Sequence, residues 1–107
     1  MTNIDMLSLD NDILDSLLLC REKENISTEL EGETVILDMA SGIYSGLDAV
    51  GTSIWNLLEQ PTTFSALCQK IMEEYDVTED ACRTDLLSFL KELADNKLIS
   101  IRHETAA

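Results

Sequence analysis

The feature that most constrains the fold is a change in the period of the hydrophobic residues near residue 47. Before residue 47, the side chains of one strand alternate between two faces. Val35, Leu37 and Met39 lie on one face, and Thr34, Ile36 and Asp38 lie on the other. A period of two is expected of a strand with one buried face. Turn-like breaks at residues 31–33 and 40–42 divide residues 25–47 into three runs. We therefore predict three antiparallel strands joined by two tight hairpins, the third strand running from residue 43 to 47.

After residue 47 the period becomes helical, and three helices are predicted. Asp48 is a suitable N-cap for the first, and Pro61 ends it. Thr62 or Thr63 can cap the second helix, and Thr78 opens the third. The apolar positions of the three helices are Val50, Ile54, Trp55, Leu57 and Leu58; Phe64, Leu67, Cys68, Ile71, Met72 and Tyr75; and Cys82, Leu86, Phe89, Leu90 and Leu93. Strands followed by helices indicate an α+β domain.

The length of 107 residues predicts one domain. We assign residues 25–101 to it, with a short strand or extended segment at 98–101, and treat residues 102–107 as a tail. Residues 1–24 form an acidic, amphipathic extension. Helical spacing within it is shown by Ile13, Leu14, Leu17 and Leu18. A short amphipathic helix and a loose acidic segment docked on the domain or on a partner both remain open.

Charge limits the partners. With 21 acidic and 7 basic residues the formal net charge is −14. Nucleic-acid binding depends on Lys and Arg neutralising phosphates, so this surface is expected to repel nucleic acid and anionic membranes. No apolar run reaches the roughly 18 residues of a membrane-spanning helix, and the start lacks the basic residues of a secretory signal. We expect a cytoplasmic protein.

Catalytic and metal-binding patterns are not found in the sequence. Cys20, Cys68 and Cys82 are odd in number and widely spaced, which disfavours a disulfide framework and favours small core residues. The single histidine, His103, lies in a polar tail. The carboxylates fall mainly on the polar faces of the predicted elements. We expect no catalytic residues, no metal and no cofactor, and hence a protein that binds something.

The predicted third strand suggests how it binds. At the end of a three-stranded meander, this strand has an open edge unless another element covers it. An extended peptide can add to such an edge through main-chain hydrogen bonds. The alternative is that residues 1–22 cover the edge.

Several segments in order resemble the PqqD-like proteins. Residues 28–38 resemble their first hairpin. The run Ser41-Gly42-Ile43-Tyr44-Ser45-Gly46-Leu47-Asp48 is similar to their Ser-Gly-x-Tyr-x-x-Leu-Asn segment, with Asp48 where Asn is common. The helical patterns Val50-Gly51-x-x-Ile54-Trp55-x-x-Leu58 and Asp85-Leu86-Leu87-x-Phe89-Leu90-x-x-Leu93 match as well, as does the ending Lys97-Leu98-Ile99. Together they span about residues 25–101.

This resemblance implies a winged-helix-like fold, a three-stranded antiparallel sheet followed by three helices, without catalysis of its own. Such domains recognise the leader segment of a ribosomally made precursor peptide and present it to a maturation enzyme, such as a radical SAM enzyme, a cyclase or a peptidase. The leader adds as a strand beside the third strand, against the third helix. The implied peptide-binding residues are Ile43, Tyr44, Ser45, Gly46, Leu47, Asp85, Leu86 and Phe89.

Other interpretations stay open. A DNA-binding winged-helix regulator would place the third helix in the major groove, but that helix is rich in acids. A protein-docking subunit with no leader-binding role is another. A homodimer is compatible with each of these interpretations, leader binding included. If the amide of Ser45 faces the groove, replacing Ser45 with proline would abolish leader binding and leave the core folded.

Overall fold

The computed structural model describes residues 10–103, which fold into two small sheets and four helices. In chain order the elements are α1 (Asn11–Ser16), β1 (Leu17–Arg21), β2 (Asn25–Leu30), β3 (Glu33–Asp38), β4 (Ile43–Leu47), α2 (Ala49–Leu57), β5 (Thr62–Thr63), α3 (Phe64–Glu74), α4 (Glu79–Asp95) and β6 (Ile99–His103). One sheet has the strand order β2-β3-β4 and the other β5-β1-β6. The predicted α+β class, with a three-stranded antiparallel sheet followed by three helices, is confirmed.

The β2-β3-β4 sheet is the predicted meander. The turn between β2 and β3 has two residues, Glu31 and Gly32, with φ values of 55° and 81°. Positive φ at both positions is what a type I′ hairpin turn requires. The second hairpin turns at residues 39–42, where Gly42 has a φ of 75°. Asp38 stabilises that turn by accepting hydrogen bonds from the Ala40 amide and the Ser41 hydroxyl.

The buried face of β3 is the reverse of what its apolar pattern suggests. Thr34 and Ile36 are buried, whereas Val35 and Met39 are 48% and 59% exposed. Thr34 tolerates burial because its hydroxyl donates to the Thr52 hydroxyl of α2 at 2.8 Å, so neither group enters the core without a partner. Alternation alone fixes the period of a strand; the helix that packs across the sheet selects the inner face.

Replacing Thr52 with valine is expected to lower the free energy of unfolding by about 1–3 kcal/mol, because the buried Thr34 hydroxyl loses its acceptor. Valine keeps the shape and the β-branching of threonine. Removing both hydroxyls in a Thr34→Val, Thr52→Val double variant should restore part of the loss. Urea denaturation of the two single variants, Thr34→Val and Thr52→Val, and of the double variant measures this. A double variant that loses the sum of the two single effects would contradict it.

The helices begin at the predicted caps. The side chains of Asp48, Thr63 and Thr78 accept hydrogen bonds from the amides of Gly51, Ala66 and Ala81 at the starts of α2, α3 and α4. Their apolar stripes meet in one core whose largest fully buried side chains include Trp55 and Phe64. Trp55 donates its indole hydrogen to the Ser27 hydroxyl of β2, and the Arg21 guanidinium lies over its ring.

Residues 10–21 also pack into this core. Their helical spacing predicts a single helix through Leu18, but the structure has a short helix followed by a strand. Asp10 caps α1, which ends at Ser16, and the next five residues form β1. β1 is the central strand of its sheet, between β6 and the short β5, and its Leu17 and Leu19 are fully buried. Leu17 and Leu19 share one face of β1, which points into the core, and Leu18 on the other face is half-buried.

The closing segment is a strand, the first of the two alternatives left open for residues 98–101, and it begins at Ile99, which pairs with Arg21 of β1. The ladder continues through Arg102 and His103, which the sequence placed in the tail.

Cys68 and Cys82 are buried free thiols, as expected of small core residues. Burial, together with the neighbouring Cys82, raises the pKa of the Cys68 thiol to about 12. This thiol therefore stays protonated.

Candidate functional site

One edge of the β2-β3-β4 sheet faces α4 without a strand partner. β4 pairs with β3 on one side, and no other strand among residues 10–103 pairs with it. The described part of the N-terminal segment does not cover this edge, because β1 pairs with β5 and β6 in the other sheet. Residues 1–9 lie outside the described residues. Residues 10–22, which the sequence offered as an alternative cover for this edge, therefore lie at the other sheet.

The hydrogen-bond pattern of the ladder shows which peptide groups of β4 face outward. The two-residue turn makes Leu30 and Glu33 a hydrogen-bonded pair, and the Met39 amide donates to the Glu24 carbonyl in the same register. Hydrogen-bonded pairs alternate in an antiparallel ladder, so the odd-numbered residues of β3 bond to β2 and the even-numbered ones bond to β4.

The β4 partners of those even-numbered residues are Ile43, Ser45 and Leu47. The peptide groups of these three residues therefore face β3, and the peptide groups of Tyr44 and Gly46 face the open edge. The amide of Ser45 consequently does not face the groove. A proline at position 45 would break the β3–β4 ladder, so it would not leave the sheet intact as the sequence hypothesis supposed.

A groove runs along this edge between β4 and the C-terminal half of α4. One part of it is lined by Ser45, Gly46, Leu47, Asp48, Phe89, Glu92, Leu93, Asn96 and Leu98. It continues toward the β3–β4 turn, where its lining is Asp38, Ser41, Ile43, Ser45, Asp95, Asn96, Lys97 and Leu98. Ser45, Asn96 and Leu98 belong to both parts, which makes the groove continuous along the strand.

At its other end the groove opens into an apolar cavity of about 330 Å³ between α2, α3 and α4. Its lining is Asp48, Val50, Gly51, Ile54, Ile71, Tyr75, Val77, Cys82, Asp85, Leu86 and Phe89. Phe89 and Asp48 line both the cavity and the groove. Gly51 brings α2 close to this junction: a Cβ atom there would lie 3.3 Å from the Phe89 ring and 3.2 Å from the Leu47 Cβ. The cavity can hold a large apolar side chain next to the open edge.

Carboxylates dominate the charge around the groove and the cavity. Asp38, Asp48, Asp85, Glu92 and Asp95 line one or the other, and Lys97 is the basic residue among the lining side chains. Three of these acids already have partners. Asp38 accepts hydrogen bonds within the β3–β4 turn, Asp48 caps α2, and Asp95 forms an ion pair with Lys91. The groove therefore favours positive charge on whatever lies in it.

The structure brings most of the sequence-predicted site residues to this region. Ile43, Ser45 and Leu47 line the groove, Phe89 is at the junction, and Asp85 and Leu86 line the cavity. Tyr44 differs: its side chain pairs with Leu37 on the outer face of the sheet, so only its peptide group can reach the edge. Sequence reasoning missed Glu92, Leu93 and Asn96, although their helical spacing from Phe89 places them on the same side of α4.

Comparison with known proteins identifies the family of this chain. The family model described as coenzyme PQQ synthesis protein D (PqqD) matches residues 33–99, which contain β3, β4 and all of α2 to α4. This chain belongs to the PqqD family. Among the described residues of this PqqD-family chain, no group of three or more His, Cys, Asp or Glu side chains could hold a metal ion, and no helix is long and apolar enough to cross a membrane.

Two solved structures are similar to this PqqD-family chain. TbiB1 in complex with the TbiA(beta) leader peptide is 32% identical, with a TM-score of 0.72, covering 81% of this chain and 99% of that one. Lasso peptide synthetase B1 complexed with the leader peptide is 21% identical, with a TM-score of 0.68, covering 76% of this chain and 95% of that one. The second likeness supports the fold alone. A search of the curated proteins finds no match.

Proposed function

We propose that this chain binds the leader segment of a ribosomally made precursor peptide as an added strand along β4. The observation that carries the proposal is the open edge of β4, where the peptide groups of Tyr44 and Gly46 face a groove walled by α4. A peptide in this position gains main-chain hydrogen bonds from the edge. One of its apolar side chains enters the cavity beside Phe89. The relative TbiB1 was solved with a leader peptide bound, which supports this function.

The role we propose is delivery without catalysis. A leader held in the groove keeps the rest of the precursor near a bound maturation enzyme, which raises its effective concentration there. The enzyme would be a radical SAM enzyme, a cyclase or a peptidase acting in the cytoplasm. The catalytic groups would then belong to the enzyme, and this chain would supply the peptide.

The DNA-binding alternative is disfavoured by the charge of α4. Its exposed positions include Glu79, Asp80, Asp85, Glu92 and Asp95. A helix that enters the major groove approaches phosphates on both sides, and this set of carboxylates repels them.

The charge of the groove also constrains the leader. We expect the segment beside α4 to carry Lys or Arg, because the lining carboxylates would repel an acidic peptide. The probe is the leader of a small precursor peptide encoded near the gene for this chain. Its affinity should fall several-fold when salt rises from about 0.05 M to about 0.5 M. Fluorescence anisotropy of the labelled leader measures this.

A matched pair of variants assigns the effect to the groove. Glu92→Gln removes a lining charge and should weaken binding and flatten the salt dependence. Glu73→Gln makes the same change at an exposed position of α3 outside the groove and should do neither. An affinity that rises with salt would indicate repulsion and contradict the cationic leader. An absence of binding at all salt concentrations would contradict the proposed function itself.

A further inference from the structure

The face of the β2-β3-β4 sheet that points away from the core is apolar. Side chains alternate across a sheet, so the residues opposite buried Thr34 and Ile36 share the outer face. The apolar side chains of this outer face are Ile26, Leu30, Val35, Leu37, Met39 and Tyr44, and Thr28, Glu33 and Gly46 share the face with them. Ile26, Leu37 and Tyr44 occupy directly paired positions and form one row across all three strands.

These side chains are accessible. Leu30 and Tyr44 are 73% and 68% exposed, and Ile26, Val35 and Met39 are each about half exposed. Among residues 10–103, five of the nine exposed large hydrophobics lie on this one face. Single exposed apolar residues are normal on a protein surface, but a contiguous set rimmed by polar residues marks an interaction site. The core does not require them, since the inner face of the same strands supplies the contact with α2.

Acidic residues bracket this outer face. Glu24 is paired with Met39 at one end, while Glu31 and Glu33 flank Leu30 at the other. The wider segment has the same bias, because residues 24–69 contain seven Asp or Glu and no Lys or Arg. The surface is thus an apolar centre between two negative ends, and a complementary surface has an apolar centre between positive ends.

We propose that the outer face is the docking surface for the maturation enzyme, and that the enzyme contacts it through apolar side chains flanked by Lys or Arg. The identity of the partner rests on the proposed leader-binding function; the surface and its chemistry do not. A second copy of this chain is a poorer occupant, because it would place acidic ends together between molecules of net charge −14. An anionic membrane surface is opposed by the same charge.

The position of this face allows the enzyme and the leader to bind together. The leader uses the open edge of β4 and the inner side of the sheet, where Ser45 and Leu47 line the groove. The enzyme uses the opposite side of the same three strands. The sheet is then a shared wall between the peptide and the enzyme that modifies it.

A matched pair of lysine substitutions tests this. Val35→Lys places a cation in the centre of the outer face, and Met72→Lys makes the same change at a comparably exposed position of α3. The probe is the purified maturation enzyme encoded beside this chain, titrated by biolayer interferometry. We expect Val35→Lys to weaken enzyme binding by at least about tenfold and Met72→Lys by less than about twofold. Leader affinity, measured separately by anisotropy, should change less than about twofold in both variants.

The other outcomes overturn the proposal. Equal enzyme affinity for the two variants, or no enzyme binding by the unaltered chain, would show that the outer face is not the docking surface. Equal loss of leader and enzyme binding in Val35→Lys would assign the face to the leader. If sedimentation shows that the unaltered chain dimerises and that Val35→Lys abolishes the dimer, a second copy of the chain would be the partner that binds the outer face. Failure of the leader titration alone would instead count against the proposed function.

Discussion

Replacing Gly46 with proline is expected to weaken leader binding by at least about tenfold while leaving the domain folded. The register assigns the Gly46 amide to the open edge of β4, so proline removes a donor that a bound strand uses and no donor of the β3–β4 ladder. Removing a donor leaves a carbonyl of the bound peptide without its partner, which costs about 1–3 kcal/mol. The proline ring also occupies part of the open edge of β4.

Glycine-to-alanine replacement at the same position is the control. A Cβ atom at Gly46 would have no neighbour within 4 Å, so Gly46→Ala changes the side chain and keeps the amide. Leader affinity of this variant should stay within about threefold of the unaltered chain. Anisotropy titration gives the affinities, and thermal unfolding confirms that both variants fold. Equal affinity of the proline and alanine variants would mean that the leader does not bond to this amide.

The second large effect is expected at the junction between the groove and the apolar cavity. Phe89→Ala should weaken leader binding by about tenfold to a hundredfold, because the ring lines both spaces and forms part of the wall that an anchoring side chain contacts. The substitution also lowers stability, since Phe89 packs partly against the core. Binding is therefore measured well below the unfolding midpoint.

A control substitution at Leu87 separates the loss of leader affinity from the loss of stability. It is on the same helix, is also packed partly against the core, and lines neither the groove nor the cavity. Leu87→Ala should lower stability to a similar degree and leave leader affinity unchanged. Parallel losses of affinity in the two variants would show that Phe89 acts only through stability and would remove the cavity from the proposed site.

Local signals in the sequence were enough to predict much of this fold. Gly and polar residues at the two hairpin turns, and capping side chains at Asp48, Thr63 and Thr78, act within a few residues and are readable directly. They place β4 next to α2 in the chain and make α4 the long final helix. The predicted groove between β4 and α4 follows from that order together with the family resemblance.

Features that depend on long-range packing could not be predicted in the same way. Leu17 to Leu19 become a central strand only because β6, about 80 residues later, pairs with them. Likewise, the apolarity of Val35 and Met39 suggests an inner face, but Thr52 of α2 supplies the partner that allows Thr34 to be buried instead. The direction of Tyr44 follows from the same choice of face.

The most direct test of the account is amide hydrogen exchange by NMR, with and without the leader of the precursor encoded beside this chain. The register predicts slow exchange at Ser45 and Leu47 in the free protein, because their amides bond to β3. It predicts fast exchange at Tyr44 and Gly46. On leader binding, Tyr44 and Gly46 should become protected, with shifts along α4 around Phe89 and Leu93. Saturating leader that leaves both amides exchanging fast would contradict strand addition at β4.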